Sequence, residues 1–159
     1  MEELFADMLS ALIFILPLYI VNATMVIIWH ISGYKSARPL HRQWFGERRD
    51  WKGIAVFLIA TPILYSLFGY SAFMGLVLGA GGYLGTLGNC FIKRRLKMPS
   101  GTPFPVFDQL DFVVGAFIAY FLAFGSLPAN AIIILPMTLV LHPAGNIIAY
   151  KLGLKKVWW

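Results

Sequence analysis

SAFMGLVLGAGGYLGTLGNCFI, residues 71–92, contains no acidic, basic or histidine residue, and KRRLK, residues 93–97, follows it at once. A helix of about 20 apolar residues crosses the roughly 30 Å hydrocarbon core of a bilayer. A cluster of lysine and arginine directly after it is the usual way such a span stops at the headgroups. Gly75, Gly79, Gly81, Gly82, Gly85 and Gly88 would weaken this helix in water. In lipid, small residues let neighbouring helices approach closely, so the stretch reads as a packed transmembrane helix. The glycines could also clear room for a ligand near the charged end.

Four further apolar stretches surround it. Taking residues 71–92 as span three, span one covers about Met8 to Ile31, span two about Gly53 to Phe68, span four about Phe107 to Phe124 and span five about Asn130 to Tyr150. Span two is the short one. The joints at 68–71 and 125–129 are short and uncharged, and both carry glycine. With 59% hydrophobic and 13% charged residues and a mean hydropathy of +0.74, the chain lacks the charge a water-soluble surface needs. Lipid offers no partner for open backbone groups, so an all-α, polytopic fold of five transmembrane helices in one membrane domain, residues 1–159, is predicted.

The charges fix the orientation expected of that domain. All 13 basic residues fall in residues 32–52, residues 93–105 or the tail after Tyr150. An odd number of spans puts these three segments on one face, which the positive-inside rule makes cytoplasmic. The N-terminus, with Glu2, Glu3 and Asp7, is then outside and the C-terminus inside. This acidic start, with no small-residue cleavage pattern after it, predicts that span one stays in place. The net charge of +6 follows from topology, and no nucleic-acid recognition motif accompanies it. Cys90 is the single cysteine, which excludes an internal disulfide or a thiolate cluster.

Polar residues at the cytoplasmic ends of the spans are the candidate site. Asn89 and Lys93 lie four apart, with Thr86 one turn earlier, so they share a helical face. Lys93, Arg94 and Arg95 could equally be an anchor snorkelling to headgroups. Asp108 and Asp111 open span four behind Pro103 and Pro105. Two carboxylates there suit helix capping, and they also suit Mg²⁺ whose remaining ligands are substrate phosphates. In span five, His142, Asn146 and Tyr150 form a stripe that is either interhelical glue or a cleft lining. The first loop mixes cations with Trp44 and Trp51, which suits anionic lipid or a nucleoside triphosphate. A small transporter or channel subunit is the competing class, although such proteins place their ligands nearer the midplane.

Taken together, several segments resemble the CDP-archaeol synthases, the archaeal CTP-dependent cytidylyltransferases of ether-lipid synthesis. They are Pro17 to Ala23, Gly46 to Gly53, Phe91 to Leu96, Asp108 to Asp111, and the ending from His142 and Pro143 through Asn146 and Tyr150 to Trp159. Two positions depart from the family pattern, where an aspartate and a serine stand in place of Thr86 and Cys90. This weakens any metal role at the end of span three and leaves Asn89 to carry part of it. The resemblance implies transfer of a cytidylyl group from CTP to digeranylgeranylglyceryl phosphate at the cytoplasmic face of the cell membrane, with Mg²⁺ as cofactor. Asp108 and Asp111 are then expected to hold the metal, with Lys93 a third catalytic group. Lys93, Arg94 and Lys97 would bind the triphosphate, Arg49 and Lys52 would clamp it from the first loop, and Asn89, His142 and Asn146 would line the cleft.

Overall fold

The computed structural model describes residues 1–32, 38–47, 49–99 and 101–159. Lys35 and Arg48, two cations of the first loop, lie outside the described residues. Regular structure among the described residues is helical: α1 (Glu2–Ile31), α2 (Arg42–Phe45), α3 (Trp51–Leu67), α4 (Ala72–Arg95), α5 (Phe107–Phe124) and α6 (Ala131–Lys151). One isolated antiparallel bridge, Pro39 to Asp50, closes the first loop.

Four of these helices, α1, α4, α5 and α6, are long and apolar enough to cross a membrane. The chain is therefore a multi-pass membrane protein. With 17 residues, α3 is shorter, about 25 Å at 1.5 Å per residue. The first helix begins at Glu2, ahead of the apolar span expected from about Met8, and the first loop carries the helical turn α2, capped by His41 Nδ1 accepting from Trp44 N at 3.3 Å.

Lipid supplies little hydrophobic drive for one apolar helix to find another, so close backbone contact must hold the bundle together. That contact is made by α4, which packs against α3 on one flank and α5 on the other. A Cβ at Gly79 would lie 2.5 Å from the carbonyl oxygen of Phe57 in α3. At Gly85 it would lie 2.0 Å from the carbonyl oxygen of Asp111 in α5, a separation no side chain tolerates. Glycine at these two positions is what lets the three helices touch.

The start of α3 lies low against α4. Asp50 caps α3 by accepting from Gly53 N at 3.1 Å, and the Tyr83 hydroxyl donates to the Asp50 carbonyl at 2.8 Å. Because Tyr83 lies about three turns before the end of α4, the first loop descends along that helix before α3 begins. On the far side α1 packs against α3 and α6, with the hydroxyls of Tyr19 and Thr138 2.6 Å apart between α1 and α6.

Candidate active site

The α4–α5 seam dictates the geometry of the polar cluster at its end. Gly81, Gly85, Asn89 and Lys93 follow one another at four-residue steps and so run down one face of α4. Opposite them on α5 stand Gly115 and, one turn nearer the helix start, Asp111. Once the glycines have drawn the backbones together, the next turn of α4 brings Asn89 and Lys93 against the first turn of α5. The Asn89 amide donates to Asp108 Oδ1 at 2.7 Å and to Asp111 Oδ2 at 2.9 Å, bridging the two carboxylates. Lys93 Nζ donates to both oxygens of Asp108, at 2.8 and 2.9 Å. Asn89 and Lys93 are both buried.

Neither aspartate is the N-cap of α5. That position belongs to Val106, with φ 68° and no side-chain cap bond. A β-branched residue at positive φ is a strained conformation. It turns the chain so that Asp108 Oδ2 accepts from the Phe104 amide at 2.8 Å, while Asp111 Oδ1 accepts from the Phe112 amide at 2.6 Å. Asp108 thus receives donors from a lysine, an asparagine and the backbone. Its carboxylate is held in place by groups other than the helix end.

Arg49 brings a second cation to the cluster from the first loop. Its Nε donates to Cys90 Sγ at 3.2 Å, next to Asn89, and its charge acts on Asp111. Burial opposes the charge of this guanidinium, but the Cys90 sulfur and the Asp111 carboxylate outweigh it, so the pKa of Arg49 is raised and it stays cationic. From α6, the His142 ring centroid lies 5.9 Å from that of Phe112, and Asn146 Nδ2 is 3.5 Å from His142 Nδ1. Lys155 in the tail donates to Asn146 Oδ1 at 3.0 Å and to the Trp159 carbonyl, while Trp159 Nε1 donates to Gly101 O at 3.3 Å. The tail is tied in this way to the loop that leads into α5.

Asn89, Lys93, Asp108, Asp111 and Arg49 therefore converge, with His142 and Asn146 beside them. Lys52 and Lys97 are exposed and stand outside this hydrogen-bonded group. Arg94 points elsewhere: consecutive helix residues are about 100° apart, so when Lys93 faces α5 its neighbour faces away, and Arg94 lines a cavity against α2. Sequence reading had missed Tyr83 and Lys155. Tyr83 offered no signal in an apolar stretch, whereas Lys155 lies nine residues after Asn146, beyond the helix and in reach only because the tail folds back.

The described residues contain no group of three or more histidine, cysteine or acidic side chains able to hold a metal. The two aspartates nonetheless suit a hard cation that takes its other ligands from phosphates and water. Asn89 Oδ1 is buried and meets no partner. Turning that amide over would direct this oxygen toward the carboxylates, where only a cation would welcome a third oxygen. The donor set fits Mg²⁺.

A family model described as CarS-like, CDP-archaeol synthase, matches residues 4–159. The chain is 34% identical to the CDP-archaeol synthase of Methanococcus aeolicus over 95% of its own length and 96% of the relative's. It is 37% identical to that of Methanothermobacter thermautotrophicus, covering 96% and 95%. With the CDP-archaeol synthase of Methanocaldococcus jannaschii the identity is 33%, covering 94% and 96%. No solved structure is a significant match to the chain.

Proposed function

Because the chain belongs to the CDP-archaeol synthase family, we propose that Asn89, Lys93, Asp108 and Asp111, with Arg49, form the site where it acts. The enzyme is a CTP-dependent cytidylyltransferase that makes CDP-archaeol. The transporter reading has no support, since the polar groups gather at one end of the bundle and the relatives are synthases.

In the reaction, a phosphate oxygen of the lipid attacks the α-phosphorus of CTP. The bond from that phosphorus to the oxygen bridging the β-phosphate breaks, and pyrophosphate leaves. No covalent enzyme intermediate is needed, so the protein's task is to align two anions and offset the charge that builds on the leaving group. Mg²⁺ held by Asp108 and Asp111, with Asn89 Oδ1 beside them, would supply positive charge to the triphosphate. Lys93 and Arg49 present fixed cations from two directions: Lys93 rests against the Asp108 carboxylate, which the triphosphate would compete to replace, and Arg49 is held by the Cys90 sulfur. Lys52 and Lys97, exposed near the same end, attract the nucleotide from solvent. His142 and Asn146 wall the cleft on the α6 side.

The lipid acceptor is digeranylgeranylglyceryl phosphate, and the product is CDP-archaeol in its unsaturated form. Five spans, with α3 the short one, put the first loop, the segment after α4 and the tail on one side. The positive-inside rule assigns that side to the cytoplasm, where CTP is found, and the enzyme to the cell membrane. The bridge of Asn89 between two carboxylates, with Lys93 on one of them, is the observation that carries the site reading. Asp111→Asn tests it: CTP-dependent pyrophosphate release should fall by at least about a hundredfold while membrane insertion is retained. An unchanged rate would remove Asp111 from the site.

A further inference from the structure

A cationic cavity lies between α2 and the end of α4, on a different face of α4 from the carboxylates. Gln43 and Trp44 of α2 line it on one side, and Phe91, Arg94 and Arg95 of α4 on the other; its volume is ≈ 160 Å³. Rings give it form: the Trp44 ring meets that of Phe91 edge-on with centroids 6.0 Å apart, and the Arg95 guanidinium sits 5.0 Å from the Phe91 centroid. Arg94 is anchored by Nη2 donating to Pro99 O at 3.1 Å, while its Nε is buried without a partner.

The lining contains two guanidiniums and an amide but no carboxylate. Among the described residues neither arginine is in an ion pair. A buried guanidinium N–H without an acceptor is costly, as at Arg94 Nε, and with the exposed Arg95 guanidinium on the same cavity the lining suits an anion rich in oxygens. Planar guanidinium forks match phosphate geometry, and a phosphate bearing two charges answers two arginines. With a volume of ≈ 160 Å³, the cavity has room for such a group together with the first atoms of its substituent. Trp44, half exposed beside the end of a membrane helix, stands where tryptophans meet headgroups.

We propose that this cavity is a phosphate-binding subsite, separate from the Asp108 and Asp111 centre, that takes a phosphate monoester through Arg94, Arg95 and Gln43. A phosphate of this chemistry comes from a lipid or from the free nucleotide. Trp44 is the probe for binding, read as the part of the fluorescence lost in Trp44→Phe. Phosphatidylcholine vesicles containing phosphatidic acid should change this signal, vesicles of phosphatidylcholine alone should not, and Arg94→Gln with Arg95→Gln should weaken the response about tenfold. A response to CTP in plain vesicles, lost in the same variant, would assign the phosphate to the nucleotide instead. If neither phosphate source gives an arginine-dependent response, the proposal is overturned.

The binding arm does not depend on the catalytic reading. A protein that bound phosphatidic acid here, but whose transfer rate was unchanged by Asp111→Asn, would keep this subsite and end the proposal for the carboxylates. Arg94→Lys with Arg95→Lys guards against misfolding, since it keeps both charges and should retain most of the response. A folded double-lysine protein that binds while the double-glutamine protein also binds equally well would count against the subsite.

Discussion

Arg49 is held by Cys90, at a position where the family resemblance implies a serine. Its Nε rests on Cys90 Sγ at 3.2 Å, and the serine expected there would offer an oxygen of similar reach. Cys90→Ser should therefore leave the transfer rate within about threefold, because the acceptor is kept. Cys90→Leu removes it, and should lower the rate by tenfold or more by releasing the guanidinium from its place beside Asp111. Steady-state rates of pyrophosphate release check both, and equal rates for the two variants would mean that Cys90 does not position Arg49. Part of this site was legible before any coordinates: Asn89 and Lys93 by their four-residue spacing, Asp108 and Asp111 by theirs. The sequence had suggested Lys93 and Arg94 together on the triphosphate, and the helix separates them, since adjacent helix residues cannot face one partner. What spacing could not give was that Asn89 bridges both carboxylates, because that requires knowing how close α5 comes.

At the scale of the helices, that closeness is a glycine effect with a built-in control. Gly85→Ala would place a methyl group 2.0 Å from the Asp111 carbonyl, whereas at Gly88 a Cβ meets nothing within 4 Å. Gly85→Ala must push α5 away, which should cost about 1–3 kcal/mol in resistance to denaturant. It should also suppress activity more than stability, since Asn89 is the next residue along that face and loses its reach to Asp108 and Asp111. Gly88→Ala should be neutral or mildly stabilising, as alanine is the better helix former. Unfolding in mixed micelles together with the transfer assay reads both variants, and a folded Gly85→Ala enzyme with normal activity would contradict the seam. Hydropathy located all of the long helices, because the period of apolar residues over 18 or more positions is a strong signal. It could not find α2, where four residues of mixed polarity carry no periodicity and tertiary contact with α4 does the ordering. Nor could a run of glycines in sequence show which of them face α3 and which α5.

Across the whole molecule, the three basic segments meet at one end of the bundle, although they are far apart in the chain. The first loop touches α4 through Arg49 and Cys90 and through Trp44 and Phe91, and the tail reaches the segment before α5 through Trp159 and Gly101. Charge counting had anticipated this gathering, since the basic residues could share a face only with an odd number of crossings. The tie between tail and loop was beyond it, because a count of lysines contains no contacts. Only α6 lies between the turn at 125–129 and Lys156, so the two stand on opposite sides of the bilayer if α6 crosses it. A protein carrying Cys90→Ser and one new cysteine tests this directly. A membrane-impermeant maleimide applied to intact cells should label Ser126→Cys and leave Lys156→Cys unlabelled until the membrane is opened. If both positions label from outside, α6 does not cross; if only Lys156→Cys labels, the protein is inverted. Either result would separate the carboxylate site from cytoplasmic CTP, because Trp159 binds that tail to the loop from which Asp108 and Asp111 emerge.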